Sequence, residues 1–383
     1  MPNKKKVVYL LGAGASHAEI KYLDPGCRGI LMDSVVDAIP GQLPEDNDDL
    51  KQIKNILVLE NRNIDIEQLI TLYEHDVDKK HHEASDKLRQ IFRKELNSRI
   101  LQVLCEQPNG DDCIFHSGLL ASLFDMYNIK DFDEELCAII TTNYDDLAER
   151  ALQNVYKGFN YKFELVNTAG EFSLGIGLPL LKLHGSFNWI GEYPIRLDKP
   201  NSSSYHGNDN DDIIWAPPGA IKNTNQYPFS LIWSQAREIL NCDILRVVGC
   251  SLSRNDWLLI SLIHDAQTLR RGSNLKIQLV DFPRQAYFVW KNYPYLDVKY
   301  TLFDDYFASY CNDFCSVEIL DREFESYTEE SIGKFNENVE KNMSNIFNIW
   351  LAAKGYELKN TRKLNLTTEK NIFKRFYEKE ASK

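Results

Sequence analysis

Short apolar runs rich in β-branched residues recur along the chain, and each ends in a turn. The first runs from Val7 to Leu11 and stops at a glycine. Five more runs have the same character: Cys137 to Thr141, Leu180 to His184, Ile213 to Pro217, Ile244 to Cys250 and Lys276 to Asp281. Amphipathic stretches follow most of them. This alternation is typical of a parallel sheet covered by helices on both faces, so the pattern predicts an α/β fold.

The wide gap after the first run predicts a helical insertion into a Rossmann-like, doubly wound parallel sheet. Within it, residues 64–76 and 85–107 carry apolar positions three and four residues apart. Five such positions lie in the second segment: Leu88, Ile91, Phe92, Leu96 and Ile100. We therefore expect one main domain over residues 1–295, with the helical insertion at about 29–128.

The strand pattern fades after about residue 295, and residues 331–354 predict a helix. One face of that helix would be a single apolar stripe, formed by Ile332, Phe335, Val339, Met343, Ile346, Ile349 and Trp350. Residues 296–383 are therefore predicted to be a mainly helical C-terminal extension. The stripe would pack against its own domain or against a partner subunit, and we favour an assembly, in the first instance a homo-oligomer.

Charge and composition narrow the class of protein. The formal net charge of −12 argues against a general nucleic-acid coat but leaves a local basic patch, and so direct nucleic-acid binding, open. No apolar run approaches the roughly 18 residues that span a membrane, so we expect a soluble, cytoplasmic protein without membrane contact. The eight cysteines include no Cys-x-x-Cys pair, which predicts reduced, mostly buried thiols and no zinc site.

The first candidate for chemistry is the turn Gly12-Ala13-Gly14-Ala15-Ser16, which leaves a buried strand and opens a helix. Glycines there let backbone N–H groups approach a diphosphate, and the helix N-terminus adds favourable potential. The third glycine of the usual dinucleotide fingerprint is missing, and no Lys-Ser or Lys-Thr pair follows. Alone, the turn fits nucleotide binding and a plain tight turn equally well.

Polar residues also follow two later strands. Thr142, Asn143 and Asp145 lie in "TTNYDDLAER", and His184 lies in "LKLHG". Ligands of open α/β sheets bind outside the carboxyl ends of the strands, where these side chains would meet. Asn143 lies too early to cap the next helix, whereas Asp145 is either a ligand contact or an N-cap. His184 is either an acid–base group or a structural hydrogen-bonding residue.

Two further strand ends offer groups for a nucleotide. In "VVGCSLSRNDW", Gly249 makes the turn and Ser251 could hold a phosphate or a ribose hydroxyl, while Asp256 could be a helix cap. In "QLVDF", Asp281 could accept hydrogen bonds from ribose hydroxyls or could lie in a surface turn.

In this order, Gly-Ala-Gly-Ala-Ser, Thr-Thr-Asn-Tyr-Asp, Leu-His-Gly and Gly-Cys-Ser-Leu resemble the motifs of the sirtuin-like superfamily, over roughly residues 5–290. Two features of deacylating sirtuins are missing. Residues 186–212 contain no cysteine, so the zinc module is absent, and "LDPGCRGIL" replaces the Asp-Phe-Arg segment. The chain is more similar to sirtuin-like domains of bacterial anti-phage defence systems. "DIEQLITL", at residues 65–72, resembles the helical segment that those domains insert.

This resemblance implies an NAD+ glycohydrolase with NAD+ as substrate and no zinc. It would act in defence by depleting NAD, under the control of assembly or of a partner such as a HerA-type ATPase or helicase. Asn143 would orient the ribose or the water, Asp145 would place negative charge near the developing cation, and His184 would accept a proton. The glycine turn would hold the diphosphate, and Ser251 and Asp281 would hold the adenosine half, with Thr142 and Gly249 as further cofactor-binding residues. A non-catalytic NAD or ADP-ribose sensor, or a deacylase or ADP-ribosyltransferase, is the alternative.

Overall fold

The structure is a computed structural model of the 383-residue chain. The residues that it describes are 4–23, 26–44, 47–59, 66–75, 79–105, 119–128, 134–156, 158–166, 172–173, 175–191, 194–197, 213–216, 222, 224–268, 275–281, 289, 292–293, 295–296, 298–303 and 316–317.

Strands and helices alternate over most of this range. The strands are β1 (Lys5–Leu11), β2 (Glu134–Thr141), β3 (Phe159–Asn160), β4 (Leu165–Val166), β5 (Phe172–Ser173), β6 (Leu178–Lys182), β7 (Gly185–Ile190), β8 (Arg196–Leu197), β9 (Ile213–Trp215), β10 (Ile244–Val248), β11 (Lys276–Asp281), β12 (Val298–Phe303) and β13 (Ser316–Val317). The helices are α1 (Ala13–Leu23), α2 (Met32–Val36), α3 (Asp48–Leu59), α4 (Ile66–Glu74), α5 (Lys79–Cys105), α6 (Leu119–Asp125), α7 (Leu147–Tyr156), α8 (Phe229–Ile239) and α9 (Trp257–Thr268).

The main sheet has the strand order β13-β12-β11-β10-β1-β2-β6-β3. All neighbouring strands from β12 to β3 are parallel, and β13 is antiparallel at one edge. Numbered along the chain, the six longer parallel strands lie in the order 6-5-4-1-2-3, which is the doubly wound arrangement with its switch point between β1 and β10. The predicted fold class is confirmed.

One predicted strand belongs to a different sheet. β9, expected to join the parallel sheet, pairs antiparallel with β7 in a second sheet of order β5-β4-β8-β7-β9. The chain turns away from the main sheet at Gly185, where φ is +80°. A Cβ at Gly185 would lie 2.7 Å from the Cα of Trp215, so this glycine permits the close approach of β9.

A strand that the sequence pattern missed extends the main sheet past residue 295. β12 pairs in parallel with β11 and has only the two-residue β13 on its other side. Its sequence, VKYTLF, interrupts the apolar run with polar residues. A strand near a sheet edge does not need the continuous apolar run of a central strand, so the signal was weak.

The helical insertion packs as its periodicity predicts. In α5 the expected apolar stripe is buried, at Leu88, Ile91, Phe92, Leu96 and Ile100. The Ser85 hydroxyl donates to the carbonyl oxygen of Ile70 at 3.1 Å and joins α5 to α4. No helix among the described residues is long and apolar enough to cross a membrane. The predicted helix at residues 331–354 lies outside the described residues.

Candidate functional site

The register of the main sheet brings three predicted site segments to one edge. Leu11 pairs with Thr141 on one side and with Val248 on the other. The residues that follow, Gly12, Thr142 and Gly249, therefore leave the sheet together. The Thr142 amide reinforces this by donating to the carbonyl oxygen of Leu11 at 3.1 Å. This is the crevice at which doubly wound sheets bind ligands.

The glycine turn is packed against the end of β10. The amide of Gly12 donates to Val248 at 3.0 Å, and the amide of Gly14 donates to Gly249 at 2.7 Å. A Cβ at Gly14 would lie 2.8 Å from the Cα of Gly249, and Gly249 itself has φ of +55°. Close packing therefore requires glycine at these positions, whether or not a ligand binds at the turn. Ala13 is exposed where α1 begins.

Asn143 is buried and fixed to the glycine turn. Its Nδ2 donates to the carbonyl oxygen of Gly12 and to Oγ of Ser16, both at 2.8 Å. Its backbone amide donates to Oγ1 of Thr141 at 3.0 Å. Because both Nδ2 hydrogens are used inside the protein, Oδ1 is the atom that the side chain can offer to a ligand.

Asp145 lies one residue before the N-cap position of α7, which is Asp146, because the Asp146 carbonyl oxygen accepts the first backbone hydrogen bond of the helix, from Arg150. Asp145 nevertheless contacts the start of the helix. Its Oδ1 accepts a hydrogen bond from the Leu147 amide at 3.1 Å, at the start of α7. The residue is buried, and burial raises the pKa of its carboxyl, against the opposing effects of Lys182 and a hydrogen bond with Ser16. The carboxylate that was expected to face a ligand is therefore engaged within the protein.

A buried lysine that sequence reasoning missed holds the same loop. Lys182 is fully buried in β6, and its Nζ donates to the carbonyl oxygen of Asp145 and, at 2.7 Å, to Oε1 of Glu149. The Tyr161 hydroxyl donates to the same carboxylate oxygen at 2.9 Å. The signal was a single charged residue inside an apolar strand, which is rare without a partner.

His184 is buried just beyond β6 and is held in its neutral form. Burial, followed by the nearby Lys222 ammonium, lowers the pKa of His184 to about 4, while Asp256 and a hydrogen bond with the Thr142 backbone act in the opposite direction. The Tyr144 ring lies beside it, with ring centroids 6.3 Å apart. At neutral pH the imidazole is therefore able to accept a proton.

Four residues that the sequence did not assign to the site form an ionic cluster next to His184. This cluster consists of Glu67, Lys222, Asn255 and Asp256. Nζ of Lys222 contacts Oδ1 of Asp256 and lies 3.5 Å from Oε1 of Glu67, whose Oε2 accepts from Asn255 at 2.9 Å. Oδ1 of Asp256 lies 3.7 Å from Nε2 of His184. The side chains of His184 and Lys222 are each only 5% exposed, so these charges interact away from bulk water.

The ionic cluster unites three distant parts of the chain. Glu67 comes from α4 of the insertion, Lys222 from the segment after β9, and Asp256 from the short 3-10 turn before α9. Burial would raise the pKa of the Asp256 carboxyl, but His184, in the acidic range where it is protonated, and the Lys222 ammonium outweigh burial, and the pKa is lowered. Asp256 is therefore ionised at neutral pH.

The structure describes less of the two residues predicted to bind the adenosine half, Ser251 and Asp281. Ser251 is exposed just after Gly249. Asp281 is the last residue of β11, and its backbone pairs with Leu302. Its side chain is not among those that the structure describes. Their contacts with a nucleotide stay predictions. Among the residues that the structure describes, no group of three or more His, Cys, Asp or Glu side chains could hold a metal ion.

Comparisons with known proteins point to one family. Residues 137–293, less than half of the chain, match a family model described as a SIR2-like domain, which indicates binding or processing of NAD. No curated protein matches the chain.

Two solved structures are similar over much of the chain. A mutant Sir2 homologue in complex with 2'-O-acetyl-ADP-ribose aligns with 17% identity and a TM-score of 0.34, covering 73% of this chain and 81% of its own. A mutant Sir2 homologue in complex with ADP-ribose aligns with 15% identity and a TM-score of 0.32, over the same shares.

Proposed function

We propose that the protein is an NAD+ glycohydrolase that cleaves the bond between nicotinamide and ribose and releases nicotinamide and ADP-ribose. The observation that carries this proposal is the buried, neutral His184. Its side chain is hydrogen-bonded to the backbone of Thr142, the residue that precedes Asn143. Both His184 and Asn143 lie at the carboxyl edge of a doubly wound sheet. The SIR2-like match covers both.

The side chains of Asn143 and His184 can supply what cleavage of the nicotinamide–ribose bond requires. Nicotinamide leaves as a neutral molecule, so its departure needs no general acid, whereas the oxocarbenium-like ribose and the attacking water both need help. Oδ1 of Asn143 accepts a hydrogen bond from the water or a ribose hydroxyl, because its Nδ2 is already used. His184 accepts the proton. Each role is worth on the order of 10²- to 10⁴-fold in rate.

Asp145 takes a different role from the one expected from the sequence. Its carboxylate accepts a hydrogen bond from the Leu147 amide at the start of α7, and its carbonyl oxygen accepts one from Lys182. In this proposal it positions the loop that carries Asn143, without touching the substrate.

The diphosphate is proposed to bind at the exposed start of α1. The amides of Gly12 and Gly14 already donate within the protein, so the favourable potential of the helix N-terminus at Ala13 is the remaining attraction. Ser251 and Asp281 would contact the adenosine half.

In the cell, an unrestrained enzyme of this kind would exhaust NAD. We propose that it acts in the cytoplasm as an anti-phage effector, restrained until triggered by self-association or by a partner such as a HerA-type ATPase. The C-terminal extension, residues 296–383, is the proposed surface for that assembly.

The proposal is tested by incubating the full chain with NAD+, alone and with candidate partners, and separating the products by chromatography. Equimolar nicotinamide and ADP-ribose are expected, with loss of both in His184→Ala and Asn143→Ala proteins that stay folded. Acyl-lysine peptide and protein acceptors in parallel reactions detect deacylation or ADP-ribosyl transfer. Tight binding of NAD+ without turnover under every condition would instead identify a sensor.

A further inference from the structure

The geometry around His184 contains two hydrogen-bond acceptors that face each other. Nε2 of His184 and Oδ1 of Asp256 are 3.7 Å apart, which is too long for a direct hydrogen bond. When Nδ1 carries the single ring hydrogen and donates it to the Thr142 backbone, Nε2 is an acceptor. The Asp256 carboxylate is an acceptor as well. Two facing acceptors are satisfied together by a molecule that carries two O–H donors.

The charges around this pair favour a cation. The ionic cluster holds two carboxylates, Glu67 and Asp256, against the single ammonium of Lys222. His184 is neutral, and the Tyr144 hydroxyl beside it is un-ionised because burial raises its pKa well above the ordinary value. The ionic cluster therefore carries one net negative charge, and a further cation nearby, Arg89, is paired with Glu74. The cluster is largely closed to water, where electrostatic interactions are stronger than in solution.

From this arrangement we propose that Asp256 is a further catalytic residue of the proposed NAD+ hydrolysis, and that it and Nε2 of His184 together hold the attacking water. The water donates one O–H to each acceptor. Its oxygen forms the new bond to the anomeric carbon of the ribose while the carbon–nitrogen bond breaks and its electron pair stays with nicotinamide. One water hydrogen passes to Nε2, and the imidazolium later releases it to solvent, so the balance is NAD+ and water to nicotinamide, ADP-ribose and a proton.

Asp256 satisfies the need for negative charge better than Asp145 does. Both carboxylates have partners within the protein, Asp145 in the Leu147 amide and Ser16 and Asp256 in Lys222, so what separates them is position. The Asp256 carboxylate faces His184, where positive charge develops when the proton is transferred. Glu67 lies against the Lys222 ammonium and is itself held by a hydrogen bond from Asn255, so the helical insertion takes part in setting the charge at the reacting centre.

This inference rests on the proposed function, and a pair of opposite charge changes tests it in the full chain. Asp256→Asn removes the negative charge while keeping a side-chain oxygen, and it is expected to lower kcat by about 10²-fold or more with little change in KM, as for loss of a charge that acts in the transition state. Asp265→Asn is the matched control, because Asp265 lies on α9 with a side chain 35% exposed. It should keep the wild-type kcat.

Lys222→Met supplies a readout that a structural role would not give. Burial still lowers the pKa of His184 in this variant, but without the ammonium Asp256 raises it, so the pH below which kcat falls should be higher than in the wild type. The wild-type kcat stays level down to about pH 5 because its His184 has a pKa of about 4. The titration of His184 followed by NMR should show the same upward shift without any substrate.

The outcomes separate the two claims. An Asp256→Asn protein with wild-type kcat and pH profile overturns the role of Asp256, even if NAD+ hydrolysis itself is confirmed. Absence of turnover in the wild type under all conditions overturns the proposed function. In that case an unchanged His184 titration in Lys222→Met and Asp256→Asn would overturn the coupling as well.

Discussion

The side-chain amide of Asn143 donates a 2.8 Å hydrogen bond to the carbonyl oxygen of Gly12, across 131 residues of sequence. A second bond from the same nitrogen reaches Ser16. The glycine turn and the Thr-Thr-Asn-Tyr-Asp segment are therefore one structural unit, and the position of Asn143 depends on the turn. Substitutions within this unit are therefore expected to change both the stability and the activity of the protein, whereas substitutions elsewhere can change one without the other.

Replacing Asn143 should affect both properties. Asn143→Ala removes two buried hydrogen bonds, although the Gly12 carbonyl oxygen keeps the Ala15 amide as a donor. The free energy of unfolding should therefore fall by about 1–3 kcal/mol, together with NAD+ turnover. Urea unfolding measures the first effect. Asn128→Ala, which removes one exposed bond to Asp125, should change neither quantity measurably.

Gly12 should not tolerate even a methyl group. A Cβ there would lie 2.6 Å from the Cβ of Cys250, so Gly12→Ala forces the turn away from β10 and should cost about 2 kcal/mol or more. Gly41→Ala is the matched control, since the nearest atom to its Cβ would be 3.8 Å away. Equal midpoints of thermal unfolding in the two variants would show that the close packing of Gly12 is unimportant.

The buried pair of Lys182 and Glu149 should be costly to break from one side. Lys182→Met leaves the Glu149 carboxyl buried without its cation and should destabilise the protein by about 3 kcal/mol. Adding Glu149→Gln should restore part of that loss, and denaturant unfolding of the wild type, both single variants and the double variant measures the coupling. A double variant less stable than the single one would contradict this account of the pair.

Stability should depend on pH through His17. Burial, with a smaller effect of Lys21, lowers the pKa of His17 to about 4, and its Nδ1 accepts from the Ile30 amide at 3.2 Å. As the pH falls from about 6.5 to 4, the unfolded chain takes up a proton that the native state refuses, so stability is lost, by about 3 kcal/mol at most for this group.

A His17→Asn variant isolates this contribution, because the amide oxygen can replace the acceptor but does not titrate. The loss of stability between pH 7 and pH 4.5 should be smaller in the variant than in the wild type. Identical losses in urea unfolding at the two pH values would show that His17 titrates normally in the folded protein.

The central strands and their ends could be predicted from sequence because fully buried parallel strands leave continuous apolar runs. Asn143, His184 and the glycine turn follow such runs directly, so the register of the sheet determines where they meet. The antiparallel pairing of β9 and the strand β12 could not be predicted in the same way. Neither is a central strand of the parallel sheet, and a half-buried strand or one near a sheet edge does not need a continuous run of apolar residues.

The ionic cluster was beyond sequence reasoning for a different reason. Glu67 and Lys222 lie in an insertion helix and after a short strand, and each has the neighbours of an ordinary surface residue in sequence. They become buried partners of Asp256 through the contacts of Glu67 on α4 with Lys222 and with Asn255 in the turn before α9. Lys182 was detectable in principle, as a charge within an apolar strand.

The measurement that tests the account most directly is the rate of nicotinamide release from NAD+ by the wild type and by His184→Asn. Asparagine can keep a donor for the Thr142 backbone but lacks the nitrogen that accepts the proton, so turnover should fall by about 10²- to 10⁴-fold in a protein of unchanged fold. His264→Asn, at a side chain that is 40% exposed, should keep the wild-type rate. Wild-type turnover in His184→Asn would contradict the assignment of His184 as the base.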